Sequence, residues 1–159
     1  MSSCSVGSSC EAVNGDQVCP QCAQKASAVH PITLKALLTA QGLRRGVPPN
    51  PYFCATESCP VVYFDRGVTF NQHDLIVLVH AKHPADERVP VCYCFDHTSG
   101  SIREEIIRSG KSSAFHTIAS EVKAGRCACE VRNPKGDCCL GDVLRTERRL
   151  INEVAVVAE

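Results

Sequence analysis

At 159 residues the chain has room for one domain or two small ones, each with a modest core. Lys plus Arg and Asp plus Glu stand at 17 each, so there is no net positive charge to recruit a polyanion, and nucleic acid is not an expected partner. Trp is absent and aromatics make up only 5% of the chain, while cysteine occurs 12 times. Thiols therefore have to do work that large rings do elsewhere.

A disulfide scaffold needs an oxidising compartment. The residues after Met1 carry neither a basic region nor an apolar stretch of the signal-peptide kind, and no run reaches the length of a membrane span, so a cytoplasmic chain without membrane insertion is expected. In that compartment a thiol-rich chain uses its cysteines for metal or redox chemistry.

Residues 1–17 are rich in Ser and Gly and lack any period, which predicts a flexible tail; it contains Cys4 and Cys10. Cys19-Pro20-Gln21-Cys22 then has zinc-knuckle spacing, in which two intervening residues let a tight turn aim both sulfurs at one ion. Cys54 and Cys59 supply a second pair. Cys19, Cys22, Cys54 and Cys59 are thus expected to form a tetrahedral site whose four thiolates leave no open position, so its role is structural. His30 and His73 are alternative ligands, read as surface histidines. Between the two pairs, Ile32, Leu34, Leu37, Leu38 and Leu43 share one face of a short helix starting at Pro31, and the segment from Arg44 to Pro51 is a loop.

Val61 to Phe64 read as a strand, Asp65-Arg66-Gly67 as a hairpin turn, Val68 to Phe70 as the returning strand, and Leu75 to Val79 as a third. A polar connector from His80 to Pro90 marks the expected boundary. Residues 18–90 thus make a zinc-binding unit with short strands, and residues 91–159 a helical domain.

The helical domain opens with Cys92-Tyr93-Cys94 and closes with Cys127-Ala128-Cys129 and Cys138-Cys139. Between them, a helix capped by Thr98 or by Ser101 with Glu104 buries Ile102, Ile106 and Ile107 and ends at Gly110. A second helix over Ala114 to Val122 ends at Gly125. Running out and back, the pair returns the two cysteine ends to one place. Asn133 to Asp137 is a turn, and a last helix starting near Cys139 or Gly141 carries an apolar stripe that includes Leu140, Val143, Leu144, Leu150, Ile151 and Val154.

Four thiolates suit either a zinc ion or an iron-sulfur cluster. Two cysteines one residue apart on extended chain point to opposite sides unless the backbone turns, which fits the broader target of a cluster. The run Cys92 to Thr98, the helix Ile102 to Ile107, Gly110, a second helix and then cysteines resembles the 2Fe-2S domain of bacterioferritin-associated ferredoxins. The blocks Tyr52 to Phe64 and Asn133 to Cys139 resemble the N-terminal domain of CopZ-type copper chaperones, and this second resemblance spans roughly Cys19 to Leu144.

These resemblances imply an α+β fold, a small zinc-stabilised β unit followed by a helical 2Fe-2S-binding domain. They also imply one Zn2+ and one 2Fe-2S cluster as cofactors. The cluster ligands implied are Cys92, Cys94, Cys129 and Cys139, with Cys127 and Cys138 as alternates: Cys94 to Cys127 leaves 32 intervening residues, close to the ferredoxin pattern, and Cys129 leaves 34.

The function implied is that of a one-electron carrier or reductase linked to trafficking of copper or another metal. It would work with a metal-transport ATPase or other metal-handling protein and an unidentified electron donor. Two alternatives stay open, a non-redox structural or interaction protein with two zinc sites, and a thiol-rich protein that captures soft metals such as Cu+. One departure bears on the choice. CopZ-type chaperones carry a Met-x-Cys-x2-Cys copper-binding loop in a separate domain, and here the one Cys-x2-Cys, Cys19 to Cys22, already belongs to the zinc set.

Overall fold

The computed structural model of the chain describes residues 17–159; the expected tail, with Cys4 and Cys10, lies outside the described residues except for Gln17. The first half is organised by an antiparallel four-stranded sheet, β1 (Ser27–Ala28), β2 (Tyr52–Phe53), β3 (Val61–Asp65) and β4 (Val68–Asn71), paired in that order. The β3–β4 hairpin turns at Asp65 to Gly67, where Gly67 takes the left-handed conformation (φ 76°) that a tight hairpin turn requires.

A register shift between Val61 and Tyr63 interrupts the alternation of β3. Val61 and Phe64 consequently pack on one side with Cys19, Cys54 and Cys59, while Val62 and Tyr63 pack on the other with Val29, Leu34, Leu38, Phe53, Phe70, Leu75 and Val79. The sheet is a divider between a cysteine corner and an aliphatic core.

The expected single helix after Pro31 is two, α1 (Pro31–Leu37) and α2 (Ala40–Arg44). Thr39 separates them because its hydroxyl accepts from the Gly42 amide and caps α2. The break changes the face presented, so Leu34, Leu37 and Leu38 are buried while Ile32 and Leu43 stay exposed. The third strand expected over Leu75 to Val79 does not form. Only Leu75 makes a bridge, to Leu38, and Gln72 occupies the following backbone by donating to the Val77 carbonyl (2.7 Å) and accepting from the Val79 amide (3.0 Å). With those groups bonded to a side chain, no ladder propagates.

The second half begins with the hairpin β5 (Pro90–Cys92) and β6 (His97–Thr98), followed by α3 (Ser99–Ser109), α4 (Ala114–Lys123), the single turn α5 (Cys129–Arg132) and α6 (Leu140–Val157). Thr98 is the cap of α3, exchanging hydrogen bonds with Ser101 in both directions. Ile102 and Ile106 are buried, whereas Ile107, one step round the helix, is exposed. The core of this half joins them to Val91, Cys92, Ala114, Ile118, Cys139, Val143 and Leu150. Buried Glu147 of α6 accepts from the Phe115 amide (2.9 Å), so a carboxylate caps the first turn of α4 where the helix dipole favours negative charge. At the far end of α6, Val156 and Val157 are exposed. Among the described residues, no helix is long and apolar enough to cross a membrane.

Candidate metal centres

The first centre is assembled from two corners of the sheet. Cys19 and Cys22 flank a knuckle closed by the Cys19 amide on the Gln24 carbonyl (2.9 Å) and the Ala23 amide on the Cys19 carbonyl (2.8 Å), with Ala23 held at φ 57°. Cys54 enters from the end of β2, its amide bonded to the Val62 carbonyl, and Cys59 precedes β3. The four sulfurs all lie within 4.8 Å of one another. Cys19 and Cys59 are 3.8 Å apart and Cys22 and Cys54 are 3.7 Å apart. Thiolates about 2.3 Å from a common tetrahedral centre are separated by about 3.8 Å, so the set has the dimensions of a zinc site. His30 and His73 are exposed and stand outside it.

The surroundings favour thiolate at some positions and thiol at others. A hydrogen bond between Cys22 and the Thr56 hydroxyl (3.5 Å) holds the Cys22 thiol down, at about 6, and the Gln24 amide acts in the same direction. Burial pushes Cys59 up to about 12 and raises Cys19 as well. Without metal the cluster shares protons; a cation that displaces them is bound more tightly as pH rises.

The second set is differently arranged. Cys92 is the last residue of β5 and Cys94 sits in the turn that follows, where Asp96 takes φ 56°. This turn removes the difficulty of the one-residue spacing, since the chain reverses between the two sulfurs instead of continuing as strand. Cys129 opens α5, and buried Cys139 stands at the N-cap of α6.

The sulfurs of Cys94 and Cys129 are 3.7 Å apart, and the thiols of Cys92 and Cys139 are near enough to interact electrostatically. That contact holds Cys92 down, at about 6, and pushes Cys139 far up, while burial pushes Cys129 up to about 12. The amide of Ala128 donates to Cys94 Sγ (3.2 Å), and the nearby backbone of Phe95 and Cys94 also favours the charged form of Cys92. Among the described residues, the first centre is the one set of three or more Cys, His, Asp or Glu with ligand atoms all within 4.8 Å, so the second set does not converge on a point. Cys94 stands with Cys129 and Cys92 lies near Cys139, and the four are not gathered as tightly as the first set. Cys127 and Cys138, both half-buried, flank these pairs.

Several contributors carry no sequence motif. Lys82, buried despite its charge, donates to the Thr56 carbonyl (2.7 Å) and so braces the loop between Cys54 and Cys59. Tyr93, between the two cysteines of the Cys-x-Cys run, accepts from the His80 amide (2.9 Å) and donates to the Leu78 carbonyl (2.6 Å). A cleft of about 360 Å³ lies between the two halves, with His80, Tyr93, Lys135 and Asp142 among its walls.

Residues 16–76 match the family model zf_CopZ, a zinc-binding domain. The copper chaperone CopZ of Archaeoglobus fulgidus is 35% identical over 122 residues, covering 76% of this chain; the chain spans 57% of the length of that relative. The crystal structure of the Archaeoglobus fulgidus CopZ N-terminal domain superposes with a TM-score of 0.68 at 33% identity, covering 81% of this chain and 96% of the other. A metal-binding chain of mixed helix and sheet with a four-cysteine corner, this protein belongs to the family of the CopZ N-terminal domain.

Proposed function

We propose that the chain is a metal-handling protein with two unlike centres, a structural zinc at Cys19, Cys22, Cys54 and Cys59, and a 2Fe-2S cluster at Cys92, Cys94, Cys129 and Cys139. The observation that carries the second assignment is that Cys94 and Cys129 stand 3.7 Å apart and Cys92 lies near Cys139, while the four do not gather within 4.8 Å of one another as the first set does. A mononuclear tetrahedral ion wants four sulfurs mutually close, as in the first centre, whereas a binuclear cluster wants two thiolates for each iron. The backbone near Cys92 and the amide donor on Cys94 suit sulfurs that carry negative charge, as cluster ligands do.

Bound there, the cluster supplies a one-electron couple. The chain's own residues fill its ligand positions with thiolates and bury two of the four, Cys92 and Cys139, which suits the passage of an electron better than the binding of a substrate. The similarity to a copper chaperone points to copper as the cargo. One electron converts Cu(II) to Cu(I), the softer ion that thiolates such as Cys127 and Cys138 prefer. An external reductant, not identified, supplies that electron, and a metal-transport ATPase or another metal-handling protein receives the ion. The half-buried pair Cys127 and Cys138 also keeps the thiol-rich soft-metal reading in play, with capture in place of electron transfer.

The experiment is a single turnover. Protein reduced with dithionite and freed of excess reductant is mixed with Cu(II) under anaerobic conditions. Reoxidation with iron retained supports the reductase. Bleaching with iron released means that copper attacks the site and that another acceptor has to be sought.

A further inference from the structure

The two halves meet through hydrogen bonds that run to the cysteine-bearing loops of the second. Tyr63, fully buried on the core side of β3, donates its phenol hydrogen to the Pro134 carbonyl. Thr33 of α1, equally buried, donates to the Glu130 carbonyl (2.7 Å). Both acceptors lie in the segment between Cys129 and Cys139, Glu130 in α5 and Pro134 in the loop after it. Gly136 of the same loop, at φ 71°, lies so close to α1 that a β-carbon there would meet Thr33 Oγ1 at 3.0 Å and Val29 Cγ1 at 3.4 Å. The other ligand-bearing loop is held through Tyr93, bonded to the backbone at Leu78 and His80.

Among the described residues, no hydrogen bond runs from the second half to the Cys19–Cys22 knuckle or the Cys54–Cys59 loop, Tyr93 reaching the first half only at Leu78 and His80. All four sulfurs of the first centre, the Thr56 hydroxyl at Cys22 and the Lys82 brace come from residues 19–82, and the second half supplies none of them. We infer that the first half is the mould on which the second constellation is set, with Tyr63 and Thr33 as positioning residues that fix the Cys129 to Cys139 loop at the spacing its centre needs. The dependence is one-way: the zinc corner forms without the second centre, and the second centre is loosened when the first half is not in place. This rests on the reading of Cys92, Cys94, Cys129 and Cys139 as a metal centre, but its test does not need iron.

Amide hydrogen exchange is measured on the full chain, loaded with zinc and free of iron, as wild type, Tyr63→Phe, Thr33→Val and Thr33→Ser. Tyr63→Phe leaves the Pro134 carbonyl buried without its donor, so exchange across residues 127–139 is expected to rise on the order of tenfold, while residues 54–59 and the zinc content do not change. Thr33→Val acts in the same direction, and Thr33→Ser, which keeps the hydroxyl, behaves as wild type. After anaerobic iron and sulfide loading, Tyr63→Phe shifts the g-values of the reduced centre relative to wild type.

Unchanged exchange in residues 127–139 overturns the inference. So does a rise of equal size in residues 54–59, which would make Tyr63 an ordinary core residue. If the exchange pattern is as expected but wild type takes up no iron, the positioning role stands and the cluster reading falls.

Discussion

The corner of Cys19, Cys22, Cys54 and Cys59 and the set proposed as a second centre, Cys92, Cys94, Cys129 and Cys139, are both made of four cysteines and differ in how the backbone delivers them. In the first, a closed knuckle and the Cys54 to Cys59 loop before β3 bring four sulfurs within 4.8 Å of one another. In the second, a hairpin turn and two helix starts, α5 and α6, bring Cys94 to 3.7 Å from Cys129 and Cys92 near Cys139 without gathering all four within 4.8 Å of one another. Ligand identity therefore does not decide the centre. Knuckle and strand-end geometry focuses on a point and suits one ion, while the looser second set is the one to which we assign a larger inorganic core.

The comparison breaks most severely at Cys54. Cys54→Ser should abolish zinc binding and remove coupled folding energy on the order of 10 kcal/mol, and by the one-way dependence it should also lower iron occupancy without abolishing it. The reciprocal Cys94→Ser should empty the second centre and leave zinc in place. Elemental analysis with thermal melts reads both; zinc lost from both variants alike would mean that the centres are symmetric in their support.

A smaller effect tests the helical half alone. Glu147 bonds the Phe115 amide from a buried position, so Glu147→Ala should cost about 1–3 kcal/mol in urea melts, while zinc content and exchange in the sheet remain as in wild type.

The smallest effect belongs to His80 at the seam. Burial holds its imidazole below the ordinary value, so the folded state binds fewer protons than the unfolded chain once pH falls below about 6.5. The stability this neutral histidine permits is complete above that pH and is lost as pH falls toward the folded value. His80→Gln should flatten the pH slope of stability between neutrality and mild acid relative to wild type. Parallel slopes would show that His80 is solvated in solution.

Much of the path from sequence to fold was legible where the signals were local. The β3–β4 hairpin announced itself through Asp65-Arg66-Gly67 between apolar runs, the α3 stop through Gly110, and α6 through its stripe. Illegible were features set by a side chain reaching across the fold. Thr39 split the first helix, and Gln72 bonded the backbone that would have made a third strand. Ile107 looked apolar enough for the core but lies one step off the buried face.

At the centres, the Cys-x2-Cys spacing and the later pair are readable as one four-cysteine set, which the fold brings together. The arrangement of Cys92, Cys94, Cys129 and Cys139 is not, because it depends on a turn beginning at Tyr93 and on anchors as distant in sequence as Thr33 and Glu130. Nor could spacing reveal that Tyr93, Lys82 and Thr56 brace the sulfur-bearing loops, since none of them carries a pattern of its own.

The most direct test of two unlike centres is the iron and zinc content of protein purified without oxygen, read beside its visible spectrum. The account predicts about two irons and one zinc per chain, with the red-brown absorption of a 2Fe-2S cluster that bleaches on reduction with dithionite. A colourless protein that holds zinc alone after anaerobic loading with iron and sulfide would contradict it.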